Sequence, residues 1–238
     1  MGTQITTSRI TVDSLRAYLA RPADDGGAGM LLLPMVTGIG AQVREFADDV
    51  ARAGVTALSW DPWHGPSSDD TPIEDLFQLM GKLDDETVLT EQVRLLDYLF
   101  GDLGLRKVGV IGWCLGGRFA LLLADRDPRL ANVVAYHPTV PLPPPPHHTL
   151  DAVESAGRIQ APVMMLYPGA DSLVPRESFD KLQAALNGRE TGASIVHLYP
   201  GAEHGFSAST RHGNPVNAEA YHISWPQALE FIKATTRR

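Results

Sequence analysis

Short apolar, often β-branched runs alternate with amphipathic stretches over most of the chain. Met30-Leu31-Leu32-Leu33 is apolar at every position, as a strand covered on both faces must be. A glycine-containing loop (34–40) and an amphipathic helix (42–52) follow it. Residues 55–59 read as the next strand, and Asp61-Pro62-Trp63-His64-Gly65 ends regular structure there. A long helical pattern over 87–101 carries Val88, Val93, Leu95, Leu96 and Leu99 at helical spacing. Further strands are expected at 108–112, 132–136, 163–167 and 194–199, with helices at 115–124, 175–186 and 217–233. This alternation predicts the α/β class: βα units in a largely parallel central sheet flanked by helices on both faces. Residues 63–86 and 137–150 show no periodicity that specifies an element, and are expected to supply much of a pocket rim.

No repeat of 20 to 50 residues and no linker divides the pattern, so residues 1–238 are expected to form a single domain. Pro141-Leu142-Pro143-Pro144-Pro145-Pro146-His147-His148 reads as an extended surface loop of polyproline-like stiffness. The 20 Lys+Arg against 28 Asp+Glu give a formal net charge of −8. With no basic cluster beyond Arg237-Arg238, neither a nucleic acid nor an anionic membrane surface is an expected partner. No apolar run approaches the roughly 20 residues of a membrane span, and the first residues lack a signal-peptide pattern. A single cysteine, Cys114, closes no intramolecular disulfide. A cytoplasmic protein is therefore expected.

That cysteine lies where a strand meets a helix, in Gly112-Trp113-Cys114-Leu115-Gly116-Gly117. Gly-x-Cys-x-Gly is the thiol form of the nucleophile elbow, whose sharp turn brings backbone segments too close for a Cβ at the flanking positions. A helix N-terminus also offers partly positive N–H groups that favour a thiolate. An elbow nucleophile needs a base, and the base an orienting acid; the expected chain order is nucleophile, acid, histidine. Asp171 follows the strand at 163–167 within Pro168-Gly169-Ala170-Asp171. His204 follows the strand at 194–199 within Gly201-Ala202-Glu203-His204-Gly205-Phe206. Both sit where open α/β sheets place their ligand sites.

These three motifs, with Ala17-Tyr18-Leu19-Ala20-Arg21-Pro22 ahead of the first core strand, resemble the dienelactone hydrolase (carboxymethylenebutenolidase) family of α/β-hydrolases. The resemblance runs from about residue 9 to the end of the chain. It implies the α/β-hydrolase fold, a monomer, and a Cys-His-Asp triad that opens enol-lactones through a thioester. By resemblance Cys114 is the nucleophile, His204 the base and later acid, and Asp171 the group that fixes the imidazole tautomer. The oxyanion donors are expected to be the backbone N–H groups of Leu115 and of Met35, in the loop after Leu33.

Two positions depart from the family pattern. Better-studied members carry a glutamate in the loop after the first core strand; aligned on Gly38, it falls on Met35. They also carry an arginine four residues past the histidine, where this chain has Ala208. The remaining substrate-binding candidates are His137, Phe206, Arg211 and Lys82. His64, His137, His147 and His148 match no zinc spacing, and no phosphate-binding glycine pattern occurs, so neither a metal nor a nucleotide cofactor is expected. Two other functions are compatible with the same residues. One is a small-molecule binder or redox sensor that keeps the pocket; the other is acyl transfer to an acceptor other than water.

Overall fold

The computed structural model describes residues 4–24 and 26–237. Among them eight strands form one sheet: β1 (Ile5–Val12), β2 (Leu15–Pro22), β3 (Ala28–Leu33), β4 (Thr56–Trp60), β5 (Lys107–Trp113), β6 (Val133–Tyr136), β7 (Val163–Pro168) and β8 (Ser194–Tyr199). Their order is β1-β2-β4-β3-β5-β6-β7-β8. The strands β3 to β8 run parallel to their neighbours, while β1 and β2 pair antiparallel with each other and β2 antiparallel with β4.

Seven α-helices connect and cover them: α1 (Ala41–Arg52), α2 (Ile73–Met80), α3 (Asp85–Asp97), α4 (Leu115–Arg126), α5 (Ala152–Arg158), α6 (Arg176–Asn187) and α7 (Pro215–Thr236). One face of the sheet is packed by α1 and α7, where Phe46 stacks on Trp113 at 4.5 Å and Trp225 packs against both. The other face belongs to α3 through α6, and there Phe119 meets Trp60 edge-on at 6.0 Å. Covered on both sides, β3, β6 and β7 are buried along their whole length, which is why they read as continuous apolar runs. No helix among the described residues is long and apolar enough to cross a membrane.

The β1–β2 hairpin has no counterpart in the sequence pattern. β1 is an edge strand with most of its residues exposed, so it shows no alternation. Its turn, Asp13-Ser14, has φ of 45° and 73°, a two-residue turn of left-handed residues made without glycine. Helix α2 falls in the stretch 63–86 that shows no specifying periodicity, and α5 in a stretch for which the sequence pattern named no element. α2 buries only Leu76, and α5 is seven residues long, capped by the Asp151 carboxylate on the N–H groups of Val153 and Glu154. The long helix expected at 87–101 is α3 followed by one wider turn, Tyr98–Asp102.

One buried ion pair fixes the proline-rich loop. Arg118 of α4 makes two hydrogen bonds of 2.7 Å to Asp85 at the start of α3. Asp85 also accepts from Leu150 N–H at 2.9 Å, and Arg118 donates to Leu150 O at 2.8 Å. With both side chains 2% exposed, the pair has the bidentate geometry and extra hydrogen bonds that offset the desolvation of buried charge. It ties the end of the loop to α3 and α4, at the sheet edge where β5 and β6 end.

Candidate active site

The elbow forms as its glycines require. Cys114 has φ 54° and ψ −114°, a left-handed backbone that a non-glycine residue holds only when its surroundings impose it. Its N–H is shared between Tyr136 O at 3.0 Å and His137 Nδ1 at 3.2 Å. Its carbonyl accepts from Arg118 N–H, closing the first turn of α4, and from Thr139 N–H at 3.0 Å. A Cβ on Gly112 would run into the Gly116 carbonyl, and one on Gly116 into the carbonyls of Leu33 and Pro34.

Asp171 and His204 sit on adjoining loops that are cross-linked through their backbones. Gly169 N–H donates to Tyr199 O at 2.8 Å and Ala170 N–H to Ala202 O at 2.9 Å. A Cβ on Gly169 would lie 2.6 Å from Pro200, so this close approach is what the glycine permits. Asp171 Oδ1 accepts from the N–H groups of Leu173 and Val174, and Oδ2 lies 2.7 Å from His204 Nδ1. The imidazole is thereby fixed with its proton on Nδ1. The remaining nitrogen, Nε2, is buried without an aligned partner and faces the Cys114 sulfur.

The half-buried thiol and the imidazole perturb each other. Burial pushes the Cys114 thiol up, but the charge of His204 and hydrogen bonds from His204, Thr139 and Leu115 N–H outweigh it, and the net direction is down. Burial pushes His204 down, yet the sulfur's charge and the Asp171 carboxylate carry it well above the ordinary histidine range. Both directions favour a thiolate–imidazolium pair.

Leu115 N–H, an expected oxyanion donor, faces the Cys114 sulfur. Met35 is buried in the loop after β3, and the neighbouring Pro34 carbonyl accepts Gly116 N–H at 3.2 Å, so this loop lies against the start of α4.

The substrate-binding candidates fare differently. His137 and Phe206, expected to line the pocket, are fully buried. At φ 35° the chain turns the His137 ring beneath the elbow, where its edge meets the His204 ring at 5.1 Å. Burial, with the charge of His204, holds His137 well below its ordinary range, so it is neutral. Because its Nδ1 accepts from Cys114 N–H, its proton is on Nε2 and is donated to Ser207 Oγ at 2.8 Å. Ser207→Ala is therefore expected to leave a buried donor unpaired and to lower the unfolding free energy by about 1–3 kcal/mol, read from urea melts. Phe206 packs among Tyr136, His137 and Tyr199. Arg211 is exposed on the short turn Ser209–Arg211. Lys82 is exposed between α2 and α3, in a hollow shared with Trp63 and Glu91 that Cys114, Asp171 and His204 do not line.

A model of the dienelactone hydrolase family matches residues 15–236. The chain belongs to that family. A carboxymethylenebutenolidase of Rhodococcus opacus is 28% identical to this dienelactone hydrolase family member over 225 residues, covering 91% of this chain and 85% of its own. A Klebsiella pneumoniae structure superposes with a TM-score of 0.85 at 23% identity, covering 96% and 98% of the two chains. The dienelactone hydrolase of Anabaena variabilis superposes with a TM-score of 0.71 at 20% identity over the whole of both chains. The fold is the α/β-hydrolase fold of dienelactone hydrolases, and the chain is a hydrolase of that family.

Thr139 went unread in the sequence. Its hydroxyl donates to Cys114 Sγ at 3.1 Å. The one available signal was positional: it follows the end of β6, the strand beside β5, and so belongs to the same sheet edge as the elbow.

Proposed function

We propose that this protein hydrolyses a small carboxylic ester or lactone through a thioester on Cys114. The observation that supports this reading is the 2.7 Å contact between Asp171 and His204, whose ring interacts with the sulfur of Cys114 at the elbow before α4. His204 Nε2 takes the thiol proton, and the sulfur attacks the carbonyl carbon. The carbonyl electron pair moves to oxygen, where the N–H groups of Leu115 and Met35 receive it. Collapse breaks the carbon–oxygen bond, and His204 protonates the departing oxygen. His204 then deprotonates a water that attacks the thioester; the second collapse releases the acid and restores the thiolate. Thiolates expel poor leaving groups badly, so enol esters and lactones suit this site better than amides. The name of the Rhodococcus relative points to the same class, an enol-lactone. Met35 offers no carboxylate to hold the resting thiol, so the sulfur pairs with His204 before substrate arrives.

The test uses p-nitrophenyl acetate and a dienelactone with stoichiometric iodoacetamide. Cys114 is the one cysteine of the chain, so a single adduct by mass identifies the site. One equivalent is expected to abolish turnover. Because the lowered thiol is ionised earlier than a free one, the alkylation rate should rise with pH to half-maximum clearly below about 8.5, the ordinary cysteine value. Undiminished turnover by fully alkylated protein overturns the reading.

A further inference from the structure

The segment after β6, His137-Pro138-Thr139, approaches the elbow as closely as backbone can. A Cβ on Gly117 would lie 2.8 Å from Tyr136 O and 3.0 Å from Pro138 Cα, so the glycine that follows the Gly-x-Cys-x-Gly motif makes room for this segment. Thr139 then grips Cys114 at two points: its N–H donates to the Cys114 carbonyl at 3.0 Å and its hydroxyl to the sulfur at 3.1 Å. A β-branched side chain has few χ1 choices, and the backbone bond fixes the residue beneath it, so the hydroxyl is aimed before substrate arrives.

We infer that Thr139 is a catalytic residue, its hydroxyl holding the Cys114 sulfur as an anion ready for attack. The inference rests on the cysteine-hydrolase reading above and names how the resting nucleophile is held where the loop after β3 supplies only Met35. A thiolate accepts O–H hydrogen bonds and a thioester sulfur hardly does, so Thr139 acts on the nucleophile and on acylation, not on the later attack by water. The groups that set the charge of the sulfur come from separate elements. His204 faces it from the loop after β8, with Asp171 behind that ring; His137 lies beneath, neutral; Leu115 N–H points in from α4; and Met35 brings no charge. Thr139 thus supplies a neutral donor where a second cation would compete with His204⁺ and a carboxylate would oppose the thiolate.

The experiment compares wild type, Thr139→Val, Thr139→Ser and Thr139→Ala, each checked for folding by circular dichroism and urea melts. Iodoacetamide alkylation is followed against pH, and p-nitrophenyl acetate by stopped flow. Thr139→Val keeps the shape and removes the donor, and is expected to raise the alkylation midpoint by about one pH unit, the size of one lost hydrogen bond to a charged group. Below that midpoint the acylation burst should slow by about tenfold, with the gap narrowing as pH rises. Thr139→Ser should return the midpoint most of the way. If Thr139→Val does not fold, Thr139→Ala gives the same readout. A wild-type midpoint in folded Val or Ala variants overturns the inference, as does an equal loss of burst rate in the Ser and Val variants at every pH. Turnover that persists after Cys114 is alkylated defeats the cysteine-hydrolase reading instead, while the midpoint shift remains measurable.

Discussion

Cys114→Ala is expected to lower kcat for p-nitrophenyl acetate by on the order of 10⁵–10⁶-fold, with the protein still folded. Each part of the site acts through the sulfur. In the proposed mechanism Asp171, 2.7 Å from the imidazole, orients His204, His204 moves the proton to and from the sulfur, and Leu115 N–H, which faces that sulfur, receives the oxyanion. Without the sulfur those groups have no nucleophile to serve, so the further change His204→Ala should cost almost nothing more. Asp171→Asn is milder. It keeps a side chain of the same shape but removes the charge that holds the imidazolium and the acceptor that fixes its proton on Nδ1, a loss of about 10⁴ in the comparable serine triad. It should also let His204 fall back toward the ordinary histidine range, moving the alkaline limb of kcat/KM to lower pH. A folded Cys114→Ala protein within tenfold of wild type would remove the cysteine from the mechanism.

The sheet and the motifs that carry Cys114, Asp171 and His204 were legible because each leaves a local mark. A strand buried on both faces is apolar at every position, as in β3 and β7, and the ends of such strands at one edge locate Asp171 and His204 without a structure. The elbow is written in glycines, because a Cβ at Gly112 would meet Gly116 inside the motif and one at Gly116 would meet the Leu33 and Pro34 carbonyls at the end of the adjoining strand β3. Groups whose role depends on long-range approach left no such mark. Thr139 and His137 serve Cys114 through contacts 25 and 23 residues apart in sequence, and nothing near them in the chain announces this. His137 was expected to face substrate because it ends a strand; its left-handed φ sends it under the elbow instead. Asp85 and Arg118 carry charges that composition alone assigns to the surface, yet each is buried by the other.

Gly116→Ala and Gly157→Ala, the same substitution on two helices, are expected to shift stability in opposite directions. Helix propensity alone favours alanine over glycine at both sites by about 1 kcal/mol. At Gly157 in α5 the new methyl would meet only Ala185 at 3.9 Å, an ordinary contact, so the propensity gain should appear as a higher urea midpoint. At Gly116 the methyl would enter the Leu33 carbonyl and stand 2.7 Å from the Pro34 carbonyl. Neither can yield cheaply. Leu33 belongs to β3, which is paired with β4 on one side and β5 on the other, and Pro34 O holds Gly116 N–H. Relief must come from moving the start of α4 off the sheet, which breaks that hydrogen bond and reopens tight core packing around Leu115 and Phe119. The expected loss exceeds about 3 kcal/mol, at the severe end for a single substitution. Since Cys114 and Leu115 N–H ride on the same turn, any folded fraction should also lose kcat by at least about tenfold, as a misplaced oxyanion donor does. A Gly116→Ala protein as stable as wild type would mean that the elbow does not hold α4 against β3 as closely as these contacts require.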